Sequence, residues 1–198
     1  MNNTKRVLVD AGHGGTDPGA VAGGLNEKDV NLDVAMAVGW FLAARGMLVS
    51  YTRTKDIFLS LAERRRLIDT WRPDACVSIH CNAIDDDPKT VQDERKFVHG
   101  FEIYYRDATD ELLARKVEHY LALASLKNKG VFQDVARLGK HLAMLNNLPV
   151  PQILVELAYL THQNDADYIA CHKHDVADLI AHGIQDFLVE PIQRHAGS

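Results

Sequence analysis

Residues 6–20 read Arg-Val-Leu-Val-Asp-Ala-Gly-His-Gly-Gly-Thr-Asp-Pro-Gly-Ala. A short apolar run, 6–9, leads into a glycine-rich turn that presents one imidazole, His13. The run reads as a strand and the turn as its exit. Packing alone does not call for Gly-His-Gly-Gly. Glycines on both sides of a histidine remove side-chain bulk, so a ligand or metal can approach the ring closely. Neutral imidazole is the commonest protein metal ligand.

The remainder of the chain repeats the alternation that this strand begins. Strand-like stretches fall at 6–10, 48–52, 75–80, 101–105 and 152–157, with a weaker one at 131–135. Helix-like stretches lie between them at 28–45, 59–70, 110–124 and 175–189. In the first, Val30, Val34, Val38 and Phe41 form one stripe and Gly46 marks the stop. Alternating patterns of this kind predict an α/β layer fold. The segment 85–99 is charged, contains Pro88 and reads as a surface loop. Residues 191–198 read as a disordered tail, which leaves one domain over 1–190.

The 198 residues suffice for one domain with a real core, and the net charge is −5. That charge provides no basic stripe for nucleic acid. Arg64-Arg65-Arg66 is the only basic run, and it reads as a solvated helix face. Cys76, Cys81 and Cys171 are odd in number and widely spaced, so they form no disulfide framework. Cys76 and Cys81 read as buried thiols. No apolar run reaches membrane-spanning length, and the N-terminus shows no apolar signal-peptide core. The chain is therefore expected either to be made in the cytoplasm and released, or to be the mature part of a secreted protein.

Four positions carry candidate chemistry. His13 ends the first strand. Glu27 follows in Asn26-Glu27-Lys28-Asp29, where Asn26 reads as an N-cap and Glu27 as the first helical residue. The helix dipole favours a carboxylate there, and a plain first-turn charge is the alternative. His80 ends the strand Ala-Cys-Val-Ser-Ile-His, residues 75–80. In an open α/β sheet ligands bind beyond the carboxyl ends of strands, so His13 and His80 converge if their strands are neighbours. Glu156 lies inside an otherwise apolar strand, where an acid is costly to bury unless it is paired or metal-linked. Such a site raises a carboxyl pKa and suits general acid–base work; pairing with Arg53 is the alternative. Two histidines and a carboxylate form a catalytic zinc set with an open position, and Glu156 would handle the protons of an amide hydrolysis. Cys171-His172-Lys173-His174 has metal-ligand composition but no standard spacing, and it reads as surface ahead of a helix. His162 lies near the Glu156 strand.

At these residues the chain resembles the zinc-dependent N-acetylmuramoyl-L-alanine amidases of the amidase-3 type, over about 7–188. The motifs are Asp-x-Gly-His-Gly-Gly-x-Asp-x-Gly-Ala at 10–20, Asn-Glu-Lys-Asp-Val-Asn-Leu-Asp-Val-Ala at 26–35, Thr-Arg-x-x-Asp at 52–56, Leu-x-x-Arg at 61–64, Ser-Ile-His-x-Asn-Ala at 78–83 and Leu-Val-Glu-Leu at 154–157. The resemblance implies that His13, Glu27 and His80 hold one zinc and that Glu156 is the catalytic glutamate. Asn82 and Arg53, inside these motifs, are candidate substrate contacts. It further implies a twisted, mainly parallel sheet of about six strands flanked by helices on both faces. The implied reaction cleaves the amide between N-acetylmuramic acid and the L-alanine of the peptidoglycan stem peptide. A zinc peptidase acting within the stem peptide and a non-catalytic wall-binding module are the competing readings. The chain departs from the pattern at Ala11, where proline is usual, and at Thr161-His162, where Ser-Asn is usual. Residues 129–148 match loosely. The short 85–99 segment implies that no built-in inhibitory helix covers the site.

Overall fold

A computed structural model describes residues 4–84, 97–145 and 149–189. Of the 85–99 segment only 97–99 is described, and the tail at 191–198 lies outside the described residues. In chain order the elements are β1 (Arg6–Ala11), β2 (Val21–Ala22), β3 (Leu25–Asn26), α1 (Glu27–Ala44), β4 (Leu48–Tyr51), α2 (Leu61–Trp71), β5 (Ala75–Asn82), β6 (Phe101–Tyr105), α3 (Ala108–Leu121), β7 (Asn128–Gln133), α4 (Asp134–Leu138), β8 (Gln152–Tyr159) and α5 (Gln163–Val189). A 3₁₀ turn, Ala143–Leu145, precedes β8.

One six-stranded sheet organises the molecule, in the order β4-β1-β5-β8-β6-β7. The pairs β4–β1, β1–β5 and β5–β8 are parallel; β6 runs antiparallel to β8, and β7 parallel to β6. The alternating pattern predicts an α/β layer fold, and this is the mainly parallel sheet of six strands that the family resemblance implies. The central strands are apolar on both faces because both are covered. On one face Val7, Val9, Val77, Ile79, Ile153, Val155 and Ile103 pack against Val34, Val38, Val117, Ile169, Val176 and Ile180 of α1, α3 and α5. On the other, Leu8 and Cys76 meet Ile68 of α2 and Met144 of the 3₁₀ turn. Each fully buried aliphatic in these layers is worth roughly 2–5 kcal/mol against truncation to alanine.

Local chemistry fixes the ends of these elements. Ser60 and Glu63 make a reciprocal capping box at the start of α2. Asp107 caps α3 by accepting from the Thr109 and Asp110 amides, at 2.9 and 3.1 Å. Asn26 holds the N-cap position of α1, but its side chain donates to Asp29 (2.9 Å) and bonds no backbone amide.

Three sequence expectations change. The last helix begins at Gln163 and not at 175; its first part, rich in Asn, Asp and His, has weak helix propensity and is held by buried Ala166 and Ile169. The Cys171–His174 stretch therefore lies within this helix, at a break where His172 leaves helical geometry (φ −118°, ψ 23°). The strand expected at 131–135 is β7, at Asn128–Gln133. The short β2–β3 hairpin carried no periodic signal. Among the described residues no helix is long and apolar enough to cross a membrane.

Candidate functional site

The parallel order β1-β5-β8 brings three strand ends to one edge of the sheet. Val9 pairs with Val77 and Ala11 with Ile79, so His13 and His80 leave adjacent strands. His80 and Glu156 are direct partners across β5 and β8. Glu27, the first residue of α1, is turned onto the same edge by the β2–β3 hairpin. Its amide donates to Ala20 O at 2.8 Å.

Glu27 is the hub and is 3% exposed. Its Oε1 lies 3.1 Å from His13 Nε2 and 3.0 Å from His80 Nδ1. The same oxygen accepts from the Cys81 amide at 3.1 Å and from Asn31 Nδ2 at 3.2 Å. Its Oε2 accepts from the Ala20 amide at 2.9 Å. The two imidazoles stand edge to face with centroids 5.0 Å apart. Ligand atoms of His13, Glu27 and His80 all lie within 4.8 Å of one another. In a tetrahedral zinc site with bonds near 2.0–2.1 Å, neighbouring ligand atoms sit roughly 3.3 Å apart. The 3.0 and 3.1 Å separations are close to that edge. The donor set therefore fits a tetrahedral cation of the zinc class.

The electrostatics agree. Burial disfavours a charged His13, but its hydrogen bond to Glu27 and the Glu27 charge outweigh this and push its pKa up to about 9. His80 is raised in the same way, with burial opposed by Glu27 and Glu156. For Glu27 burial is overcome by the two imidazoles, which hold its carboxyl well below the usual range. A dication would take the same imidazole and carboxylate lone pairs that protons compete for. Metal binding must displace them.

His13 adopts φ +58°, an uncommon conformation for a residue with a side chain. Asp17 and Arg64 hold it there. Asp17 Oδ2 lies 2.8 Å from His13 Nδ1, which fixes the ring so that Nε2 faces Glu27. Arg64 donates to the carbonyls of Ala11 and His13 and to Asp10 Oδ1. Asp10 is fully buried and also accepts from Thr52 and Ser78 hydroxyls. Arg64 is 4% exposed, so the basic run at 64–66 is not a uniformly solvated face. Two glycines explain the turn. A Cβ on Gly12 would overlap the His80 ring, and one on Gly19 (φ +63°) would overlap the Glu27 carboxylate.

Glu156 is half-buried beside this cluster, and its Oε2 has no hydrogen-bond partner. Burial raises its pKa, opposed by His80 and assisted by Glu27 and Glu102, to about 7. Arg53 is not its partner. Arg53 is 3% exposed, and its guanidinium donates to the carbonyls of Ala11, Gly12, Lys28 and Lys55. It braces the turn. Asn82 ends β5, where its Oδ1 accepts from the Ala83 amide.

One element of the site had no sequence signal. Glu102 on β6 pairs directly with Glu156 on β8. Its buried carboxylate is matched by Lys129 and by the Tyr104 and Tyr159 hydroxyls. Burial would raise Glu102, but those partners lower it. Two adjacent carboxyls thus differ: Glu102 stays ionised, and Glu156 titrates near neutrality. A groove of about 390 Å³ opens over His13 and His80, with Phe58, Leu61 and Met144 on its walls.

These features place a candidate metal site of two histidines and one carboxylate at the edge of a mainly parallel α/β sheet. A family model for N-acetylmuramoyl-L-alanine amidases (Amidase_3) matches residues 7–186, and the chain belongs to that family. It is 33% identical over 184 residues to N-acetylmuramoyl-L-alanine amidase LytC of Bacillus subtilis, covering 89% of this chain and 34% of that protein. It is 31% identical over 192 residues to an endolysin of Bacillus phage SPP1, covering 93% of this chain and 66% of that protein. The chain thus spans about a third of the first relative and about two thirds of the second. Among solved structures, N-acetylmuramoyl-L-alanine amidase AmiC2 of Nostoc punctiforme superposes with a TM-score of 0.83 at 32% identity, covering 96% of this chain and all of that one.

Proposed function

We propose that this chain is a zinc-dependent hydrolase of peptidoglycan, cleaving the amide between N-acetylmuramic acid and the L-alanine of the stem peptide. The observation that carries the reading is the convergence of His13 Nε2, Glu27 Oε1 and His80 Nδ1 beside Glu156, whose Oε2 has no hydrogen-bond partner. His13, Glu27 and His80 would hold the ion. Zinc, when bound, supplies Lewis-acid polarisation of water and of a carbonyl. Glu156 works on the proton. With its pKa near 7 it accepts a proton from the attacking water and returns one to the leaving amine nitrogen of L-alanine. Glu102 holds a fixed negative charge next to it and so keeps the Glu156 proton affinity high. Asp17 orients His13, and Phe58 and Leu61 give the groove apolar walls.

The cell wall is then the place of action. Release from the cytoplasm and secretion would both deliver the chain there. Product analysis of digested peptidoglycan tests the reaction. New L-alanine amino termini without new reducing ends are expected, and a chelator should abolish them until zinc is restored. New ends within the stem peptide would show a peptidase instead, and no release at all would show a binding module.

A further inference from the structure

Glu156 lies in the middle of a row of positions that crosses the sheet. His80 on β5 is its register partner on one side, and Glu102 on β6 is its partner on the other. Glu102 in turn pairs with Gly130 on β7. Side chains two residues apart on a strand share a face. Leu154, Tyr104 and Phe132, each two residues from a member of the row, pack together with Leu145. His80 likewise shares a face with Cys76, which Met144 covers. Met144 also lines the groove over His13 and His80, so the whole row looks out on the face that carries the groove.

The two sides of Glu156 differ in chemistry. Towards β1 the groove has apolar walls at Phe58, Leu61 and Met144. Towards β7 two cations stand together. Lys129 Nζ lies 2.5 Å from Glu102 Oε1 and neutralises that carboxylate. Arg137 Nη2 stands 4.0 Å from the same oxygen, beyond hydrogen-bond length, and its side chain is 49% exposed. Its guanidinium lies over the Phe132 ring, with Cζ 4.7 Å from the centroid. A guanidinium stacked in this way directs its in-plane donors past the ring, in the fork that matches a carboxylate. The segment that carries it is fixed. Asp134 is fully buried and accepts from the Val135 and Leu142 amides at 2.7 and 2.9 Å. At Gly130 (φ +117°) the row ends without a side chain, and the nearest atoms to a Cβ there would be those of the Phe132 ring, from 3.4 Å.

Resting on the amidase reading, we infer that Arg137 receives the carboxylate on the stem-peptide residue that follows L-alanine. The substrate then lies with its peptide towards β7 and its muramoyl group in the groove over His13 and His80. Adjacent strands are about 4.8 Å apart, so Gly130 lies roughly 10 Å from Glu156 across the sheet. An extended peptide advances at most about 3.3–3.6 Å per residue. With the scissile amide at Glu156, the α-carboxylate of the second stem residue, D-glutamate, comes within reach of the guanidinium, and the L-alanine side chain does not. Arg137 binds and orients the peptide and takes no part in proton transfer.

Two matched uncrosslinked peptidoglycan substrates test this, identical except that the second stem residue carries a free α-carboxylate or its amide. Wild type should favour the free carboxylate about tenfold in kcat/KM for release of L-alanine amino termini. The effect should fall on KM with kcat little changed, as for a contact made away from the reacting bond. Arg137→Gln should lose the preference, Arg137→Lys should keep part of it, and Arg137→Glu should reverse it. All three should melt within about 2 °C of wild type, because the side chain is exposed. A binding measurement needs no turnover. L-Alanyl-D-glutamate blocked as the amide at its γ-carboxyl should bind wild type about tenfold more tightly than the same dipeptide amidated at both carboxyls, and Arg137→Gln should bind the two equally. Equal kcat/KM for the two substrates in wild type, or a preference that survives in Arg137→Gln, overturns the proposal and leaves the amidase reading intact. If neither substrate releases L-alanine and the dipeptide preference still depends on Arg137, the amidase reading fails and the carboxylate site stands. No release together with equal dipeptide binding overturns both.

Discussion

Replacing Arg64 by methionine should damage stability and metal binding together, in a way that depends on pH. Arg64 and Asp10 are 4% and 0% exposed and 2.6 Å apart. Removing one partner of such a buried pair costs roughly 3–5 kcal/mol, because the other charge is left uncompensated. Asp10 keeps the Thr52 and Ser78 hydroxyls, which places the loss near the lower end, about 3 kcal/mol. At about 2–4 °C per kcal/mol for a domain of this size, Tm should fall roughly 6–12 °C.

The pH dependence follows from Asp10. In the wild type burial opposes ionisation, but Arg64 and the two hydroxyls win, and its pKa lies below normal. Its stabilising effect is therefore present above the unfolded value of about 3.9 and fades as pH falls through the lower folded value. Without Arg64 burial dominates and the folded pKa rises above the unfolded one. The deficit is then largest at high pH and shrinks as Asp10 takes up a proton. Calorimetry of Arg64→Met and wild type at pH 8 and pH 5 measures this. Arg64 also holds the Ala11 and His13 carbonyls, so metal affinity should weaken by about 10–100-fold, as when an outer partner of a ligand is lost. A Tm within about 2 °C of wild type at pH 8, or an equal deficit at both pH values, would refute the reasoning.

Glu156→Gln should keep its metal, by elemental analysis, and lose at least about 100-fold in kcat; turnover within tenfold of wild type would remove Glu156 from proton transfer. The wild-type rate should fall on the acid side through about pH 7 as Glu156 takes up a proton. In Glu102→Gln that limb should move to lower pH, because a neighbouring negative charge is gone and Lys129 remains; a limb that stays put or moves up contradicts the pairing. Asp17→Asn should weaken metal binding by about 10–100-fold in competition titrations with little change in Tm, since Asp17 is exposed and acts through the His13 ring.

The parts of this architecture that sequence could reveal are those set by local pattern. The apolar run 6–9 lies in a central strand because only a sheet covered on both faces tolerates it. His13 and His80 follow from the rule that ligands gather at the carboxyl ends of parallel strands, and β1 and β5 are neighbours. Glu27 at the first helical position needed only the boundary signal at Asn26. What pattern could not reveal depends on contacts between distant segments. Arg64 has the composition of a solvated face, and its burial is set by Asp10, 54 positions away. Arg53 reads like any surface arginine until the carbonyls of Ala11, Gly12, Lys28 and Lys55 surround it. The first half of α5 has poor intrinsic propensity and is helical because Ala166 and Ile169 are buried.

Strand direction explains why the chemistry gathers where it does. Four strands deliver their carboxyl ends to one edge, and that alone would bring His13, His80 and Glu156 together. Because β6 runs the other way, it delivers its amino end to the same edge. Two consequences follow from that reversal. Glu102, the second residue of β6, lies opposite Glu156, so a buried carboxylate held ionised by Lys129 raises the proton affinity of its neighbour. His99, two residues before β6, reaches the exit of β8 and meets His162. A parallel β6 would have carried both residues to the far edge. Glu156 would then have lost the charge that assists its titration near neutrality, and Asp165 would have faced one imidazole instead of two.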